Sequence, residues 1–148
     1  MVSDPITIAI DVMGGDNSPL KTIEGVNFFL KKNKHTKVIL LGDEKLIINT
    51  INSKKFDFHN YEIINTTENI SNEDTASDIL RNRKNSSIYR GLELVKNNKN
   101  FGFVSAGNTG ALMILSRLIL GMIKGIDRPA ICSIIPNKKN YSIMLDLG

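Results

Sequence analysis

Short β-rich apolar runs that stop at a polar or glycine-bearing turn, most of them followed by helical spacing, constrain this chain more than any other feature. Ile6-Thr7-Ile8-Ala9-Ile10 ends at Asp11 and meets Gly14-Gly15, and Val38-Ile39-Leu40-Leu41 ends at Gly42-Asp43. Phe101 to Val104 turns through Ser105-Ala106-Gly107-Asn108-Thr109-Gly110, and Tyr61 to Ile64 is a further strand candidate. After the first run, Ser18 as cap and Pro19 at the first helical position predict a helix with Leu20, Ile23, Val26 and Leu30 on one stripe. Further helices are predicted from Glu44 to about Ile51, from Asp74 to Leu80, and from about Ser87 to Lys96, the last burying Ile88, Leu92 and Val95. An apolar helix from Ala111 to about Leu120 follows the Ser105 to Gly110 turn. Ala130 to Ile135 and Ser142 to Leu147, joined by Asn137-Lys138-Lys139-Asn140, suit a hairpin. Strands alternating with helices predict an α/β layer architecture with a mainly parallel sheet. The 148 residues have the length of one domain and show no internal repeat or linker. The chain stops at Asp146-Leu147-Gly148, where a strand should hand over to a loop, and so reads as truncated.

Several function classes fall away on composition. The Asn and Lys enrichment, as in Lys96-Asn97-Asn98-Lys99-Asn100, lacks the interleaved aromatic residues that nucleic-acid stacking requires, so no nucleic-acid partner is predicted. A formal charge of +4 suits anionic substrates or an acidic carrier protein without naming one. The single cysteine, Cys132, excludes an intrachain disulfide, and its apolar strand predicts an inert core residue. The first residues lack the basic and apolar regions of a signal peptide, which makes the cytoplasm the default location. Ala111 to Ile123, the most apolar stretch, is interrupted by Ser116 and Arg117 and is too short to span a membrane.

In open α/β sheets ligands bind beyond the carboxyl ends of the strands, which directs attention to the loops after Asp11, after Val104 and at Gly148. Ser105 to Gly110 stands between a strand and a helix, where glycines admit a ligand to the backbone and free N–H groups favour an anion. The same residues also serve as a plain strand-to-helix turn with an Asn or Thr cap, and they lack the Gly-Lys-Ser/Thr ending of a nucleotide-binding P-loop. Asp11 and Asp16 flank a glycine turn, able to accept a substrate hydrogen bond, orient a basic residue or bind a metal, though such pairs more often fix the loop. His35 and His59 lie in polar stretches and read as surface residues rather than ligands. Arg81-Asn82-Arg83-Lys84-Asn85-Ser86-Ser87 is either a phosphate site using charge and a helix start together, or a solvated basic loop with a Ser cap.

Five segments taken in order, Ile8 to Asp16, Arg83 to Ser87, Ser105 to Ala111, Gly125 to Ala130 and Leu145 to Gly148, resemble the signature of the bacterial phosphate acyltransferases of membrane phospholipid synthesis, the PlsX family. The resemblance runs over essentially the whole chain. Val12 departs from the family's usual Ala, and Asn17-Ser18-Pro19 falls where the family is variable. Family members also continue for more than as many residues again beyond the segment ending at Gly148. The resemblance implies a three-layer α/β/α sandwich like that of phosphotransacetylases and the isocitrate and isopropylmalate dehydrogenases. It further implies a homodimer, and a chain that is the N-terminal part of a longer one with a cleft shared between both parts. The cleft candidates carried over are Asp11, Gly14, Gly15, Asp16, Lys84, Ser86, Ser87, Ser105, Gly107, Asn108, Thr109 and Gly110, with Asn108, Lys84 and Asp16 the candidates for catalysis.

The activity implied is transfer of an acyl group from acyl-acyl-carrier-protein to inorganic phosphate, with neither metal nor nucleotide cofactor. Ser105 to Gly110 and the Lys84-Ser86-Ser87 segment would hold phosphate or the thioester oxygen, while Asp11 and Asp16 fix the loop. A membrane-bound glycerol-3-phosphate acyltransferase is the implied partner, with the inner membrane face as a candidate place of attachment. Two other readings stay open: a short-chain phosphotransacetylase or dehydrogenase relative, and a non-catalytic anion- or carrier-binding module. Ordinary dinucleotide binding is disfavoured, since no Gly-x-Gly-x-x-Gly follows the first strand.

Overall fold

Strand β2 (Lys37–Gly42) shows why the sheet is parallel and covered on both faces, because five of its six residues are buried, leaving only Lys37 exposed. The computed structural model describes residues 6–71, 74 and 76–146. In it β2 lies between β1 (Thr7–Asp11) and β3 (Tyr61–Asn65), and β4 (Phe101–Val104) pairs with the other edge of β1. All three pairings are parallel and give the order β3-β2-β1-β4. The connections carry α1 (Leu20–Lys32), α2 (Glu44–Ser53), α3 (Ala76–Asn82) and α4 (Ser87–Asn97), and α5 (Thr109–Ile119) follows β4.

Strand alternation divides the core between two faces. Val38 and Leu40 pack with Ile23, Val26 and Leu30 of α1 and with Ile47 and Ile51 of α2. Ala9, Ile39 and Leu41 point the other way, toward Leu94 of α4, Phe101 and Phe103. This is the three-layer arrangement anticipated, with α1 and α2 on one side and α4 on the other. A third cluster, Ile79, Ile88, Leu92, Ala111 and Leu115, ties α3, α4 and α5 together. A Cβ on Gly91 would run into the Phe103 ring, so glycine is what lets α4 lie down on β4. Truncating a fully buried side chain such as Leu40 would cost about 2–5 kcal/mol.

Four expectations need correcting. Ser18 does not cap α1: Pro19 holds the cap position without a side-chain bond, and the Ser18 hydroxyl donates instead to the carbonyls of Gly14 and Gly15, tightening the glycine turn. Cys132 is exposed, not core. The reason is that β5 (Cys132–Pro136) and β6 (Tyr141–Leu145) pair only with each other, antiparallel, and pack on no other helix or strand among the described residues. Val95 is only half-buried, with Gly91 taking the buried place on α4. The helix expected from Asp74 starts at Ala76, and the end of the last strand, at Leu147, lies outside the described residues with Gly148. Among the described residues no helix is long and apolar enough to cross a membrane.

Candidate functional site

The chain moves outward from β1 through β2 to β3 and then returns to place β4 on β1's free side, so the sheet reverses its order between β1 and β4. Such a switch point leaves a crevice at the carboxyl ends of the two strands. Asp11, the last residue of β1 and only 2% exposed, fills its floor. Its Oδ1 accepts hydrogen bonds from the backbone N–H groups of Met13 and Gly14, both at 3.0 Å. Its Oδ2 accepts from the Ser105 hydroxyl at 2.7 Å, and Ser105 Oγ accepts in turn from Gly107 N–H at 3.0 Å. One carboxylate thus locks the loop after β1 to the loop after β4. The two backbones nearly touch: a Cβ on Gly14 would lie 2.6 Å from Gly107 N. Gly15 has φ +86°, a left-handed conformation that favours glycine.

Two helices begin at this crevice. Asn108, in extended conformation, caps α5 by accepting Ala111 N–H on Oδ1 at 2.8 Å. Ser86 caps α4, its hydroxyl donating to Arg83 O at 2.7 Å and accepting Tyr89 N–H at 3.3 Å. The first residue of α4, Ser87, and the cap of α5, Asn108, line one small cleft of about 50 Å³ together with Asp11, Gly14, Asn69 and Gly107. Ser87 is 6% exposed, and its hydroxyl makes no hydrogen bond among the described residues. Two helix N-termini and the hydroxyl of a largely buried serine therefore meet in a space sized for a few waters or a small oxyanion.

Of the residues expected from sequence, Asp11, Gly14, Ser87, Gly107 and Asn108 come together here, with Ser105 holding Asp11 from behind. Gly15 and Asp16 sit on the outer slope, lining an adjoining cleft of about 360 Å³. Asp16 is exposed and makes no hydrogen bond or ion pair among the described residues, so of the two aspartates it is Asp11 that fixes the loop. Ser86 spends its hydroxyl on the backbone, and Lys84, exposed, lines neither cleft. Thr109 and Gly110 are exposed in the first turn of α5, outside both clefts. Arg83 is engaged with Asp74 at 2.8 Å. The Arg83 hydrogen bond, helped by Ser71 N–H, holds the Asp74 carboxyl below its ordinary pKa, and Asp74 raises that of Arg83. The basic segment is in this respect a tethered loop, with Glu68 accepting Asn85 N–H at 2.7 Å as a second tie. His35 and His59 are exposed, as expected.

Sequence reasoning missed the loop after β3. Asn69 and Ile70 line the small cleft, and Met13, Thr66, Thr67 and Asn69 line a further one. The same strand-exit rule that singled out Asp11 applied to the end of β3, but no glycine marked the place.

The family described as fatty acid synthesis protein matches residues 6–148. The phosphate acyltransferase of Pelagibacter ubique is 43% identical over 147 residues, 99% of this chain and 44% of the relative. That of Caldicellulosiruptor bescii is 43% identical over 141 residues, 95% of this chain and 42% of the relative. That of Clostridioides difficile is 42% identical over 142 residues, with the same coverage of 95% and 42%. The chain therefore spans less than half the length of the curated relatives it matches. With the switch-point crevice built from the matched residues, the chain belongs to the fatty acid synthesis protein family, the family of these phosphate acyltransferases.

Proposed function

We propose that the protein carrying this chain transfers an acyl group from the thioester of acyl-acyl-carrier-protein to inorganic phosphate, giving acyl phosphate for phospholipid synthesis. The observation that carries the reading is the convergence of the α4 and α5 N-termini on a cleft lined by the largely buried Ser87, whose hydroxyl makes no hydrogen bond among the described residues. An anion there gains from both helix dipoles and from a donor with no competing partner among the described residues. The names of the relatives supply the acyl and phosphate chemistry.

In the reaction a phosphate oxygen attacks the thioester carbonyl carbon, the C–O bond forms and the carbonyl oxygen becomes an oxyanion. Collapse breaks the C–S bond, and the proton of hydrogenphosphate passes to the departing pantetheine sulfur. Such a displacement requires positioning and oxyanion donors more than a covalent nucleophile. Ser87 and the first turns of α4 and α5 would hold the phosphate, while Asp11 keeps the two loops in register. A homodimer, a cytoplasmic location at the inner membrane face and handover to a membrane-bound glycerol-3-phosphate acyltransferase complete the proposal. In the complete protein, Ser87→Ala should raise the KM for phosphate about tenfold and leave the thioester KM unchanged, as for loss of one hydrogen bond to an anion. Absence of acyl phosphate from the unmodified protein at saturating phosphate would reject the reading.

A further inference from the structure

Beyond Met13 the crevice continues into another cleft of about 360 Å³ at the carboxyl ends of β2 and β3, lined by Met13, Leu46, Asn65, Thr66, Thr67 and Asn69. We propose that this cleft is the subsite for a pantetheine-class arm, the amide-bearing chain that ends in the thioester. The proposal rests on the acyl-transfer reading above.

Continuity is the first argument. Met13 and Asn69 line both this cleft and the small one that holds Ser87, so a thioester at their junction would face an anion beside Ser87. Size is the second, since the volume falls at the lower end of the roughly 300–1,000 Å³ of small-molecule sites. The lining supplies the third. Only Met13 and Leu46 are apolar; Asn65 Oδ1 already accepts Glu44 N–H and Thr67 Oγ1 the Asn85 amide, and an alkyl chain laid across Thr66 and Asn69 would strip them of water without returning a hydrogen bond. A pantetheine arm, with two amides, a hydroxyl and a gem-dimethyl group, can pair with the polar side chains while its methyls rest on Met13 and Leu46. Thr66 is the built feature: it is 5% exposed, yet its hydroxyl makes no hydrogen bond among the described residues. The rim residues Asp43, Glu44 and Lys45 leave a net negative charge, which suits a neutral arm and disfavours a second phosphate.

Both coenzyme A and carrier proteins present this arm, so the test uses S-acyl-pantetheine, acyl-coenzyme A and acyl-carrier-protein with the complete protein. Thr66→Val keeps the shape and removes the hydroxyl. It should raise the KM of each accepted thioester about 5–10-fold, with the KM for phosphate within about twofold, and Thr66→Ser should restore it. Leu46→Trp, at a position 45% exposed that tolerates replacement, should narrow the cleft and produce the same split. Acceptance of all three thioesters assigns the source to the arm itself, and acceptance of acyl-carrier-protein alone assigns it to the carrier. Unchanged thioester KM in both variants, or an equal rise in the phosphate KM, overturns the subsite. Calorimetric binding of S-acyl-pantetheine to wild type and Thr66→Val separates the two claims. Thr66-dependent binding without turnover of any of the three thioesters keeps the subsite and rejects acyl transfer, whereas turnover with Thr66-independent binding does the reverse.

Discussion

Asp11 and Asn108 both spend side-chain oxygens on the backbone beside the small cleft, and they should fail in different ways when changed. Asp11→Ala leaves Met13 N–H, Gly14 N–H and the Ser105 hydroxyl without their acceptor, a loss of about 3 kcal/mol or more, read as a lower denaturation midpoint. Asn108→Ala removes the α5 cap and should cost about 1 kcal/mol. Asn108→Asp keeps a good cap but adds a carboxylate to the cleft. The melting temperature should barely move, while the KM for phosphate in the complete protein rises at least about tenfold, the size of one lost charge-assisted contact. A raised KM matched by an equally lowered melting temperature would mean that Asn108 acts only through the helix. At Asp74 the effect is one of pH. Its carboxyl is held below the ordinary value by Arg83, so the pair stabilises the fold above about pH 4 and loses that contribution as pH falls through the lowered pKa. Asp74→Asn should flatten this acid limb of a stability-against-pH curve.

Among the elements, α4 links packing to chemistry most directly. Gly91→Ala would ordinarily strengthen a helix by up to about 1 kcal/mol, but here the added methyl meets the Phe103 ring, so the sign should reverse to a loss of about 1–3 kcal/mol. Because Ser87 stands one turn upstream on the same helix, phosphate affinity should fall with it, measurable on the complete protein by calorimetry. Strands β1, β2 and β4 were readable from sequence because two-sided burial writes itself as a run such as Val38-Ile39-Leu40-Leu41. The loops after β1 and β4 were readable because close backbone approach demands glycine at positions such as Gly14. Cys132 was misread, since an apolar run shows that a surface wants covering without showing whether anything covers it. Ser18 was misread because two local acceptors, Gly14 O and Gly15 O, compete for the hydroxyl that a cap would use. Thr66 and Asn69 escaped notice because an exit loop of ordinary polar residues carries no backbone signature.

Over the whole molecule, the apolar surface is concentrated after residue 112: Leu118, Ile123, Ile134, Ile143 and Leu145 are between 54% and 79% exposed. Patches of this kind drive association. Residues 1–148 on their own are therefore expected to elute from size exclusion as oligomers or aggregates by light scattering, and to make acyl phosphate far more slowly than the complete protein. A clean, active monomer would contradict both expectations. The central strand imposes a schedule as well. β1 pairs on one side with β4, and Asp11 reaches Ser105 across 94 residues of sequence. At a synthesis rate of about 5–20 residues per second, roughly 5–20 s separate the two strands' emergence from the ribosome. During that interval the free edge of β1 is open to wrong partners. Ser105 then arrives to lock the centre of the sheet and the floor of the crevice in one event, so a newborn chain with a finished crevice has already passed the step at which it was most exposed to misassembly.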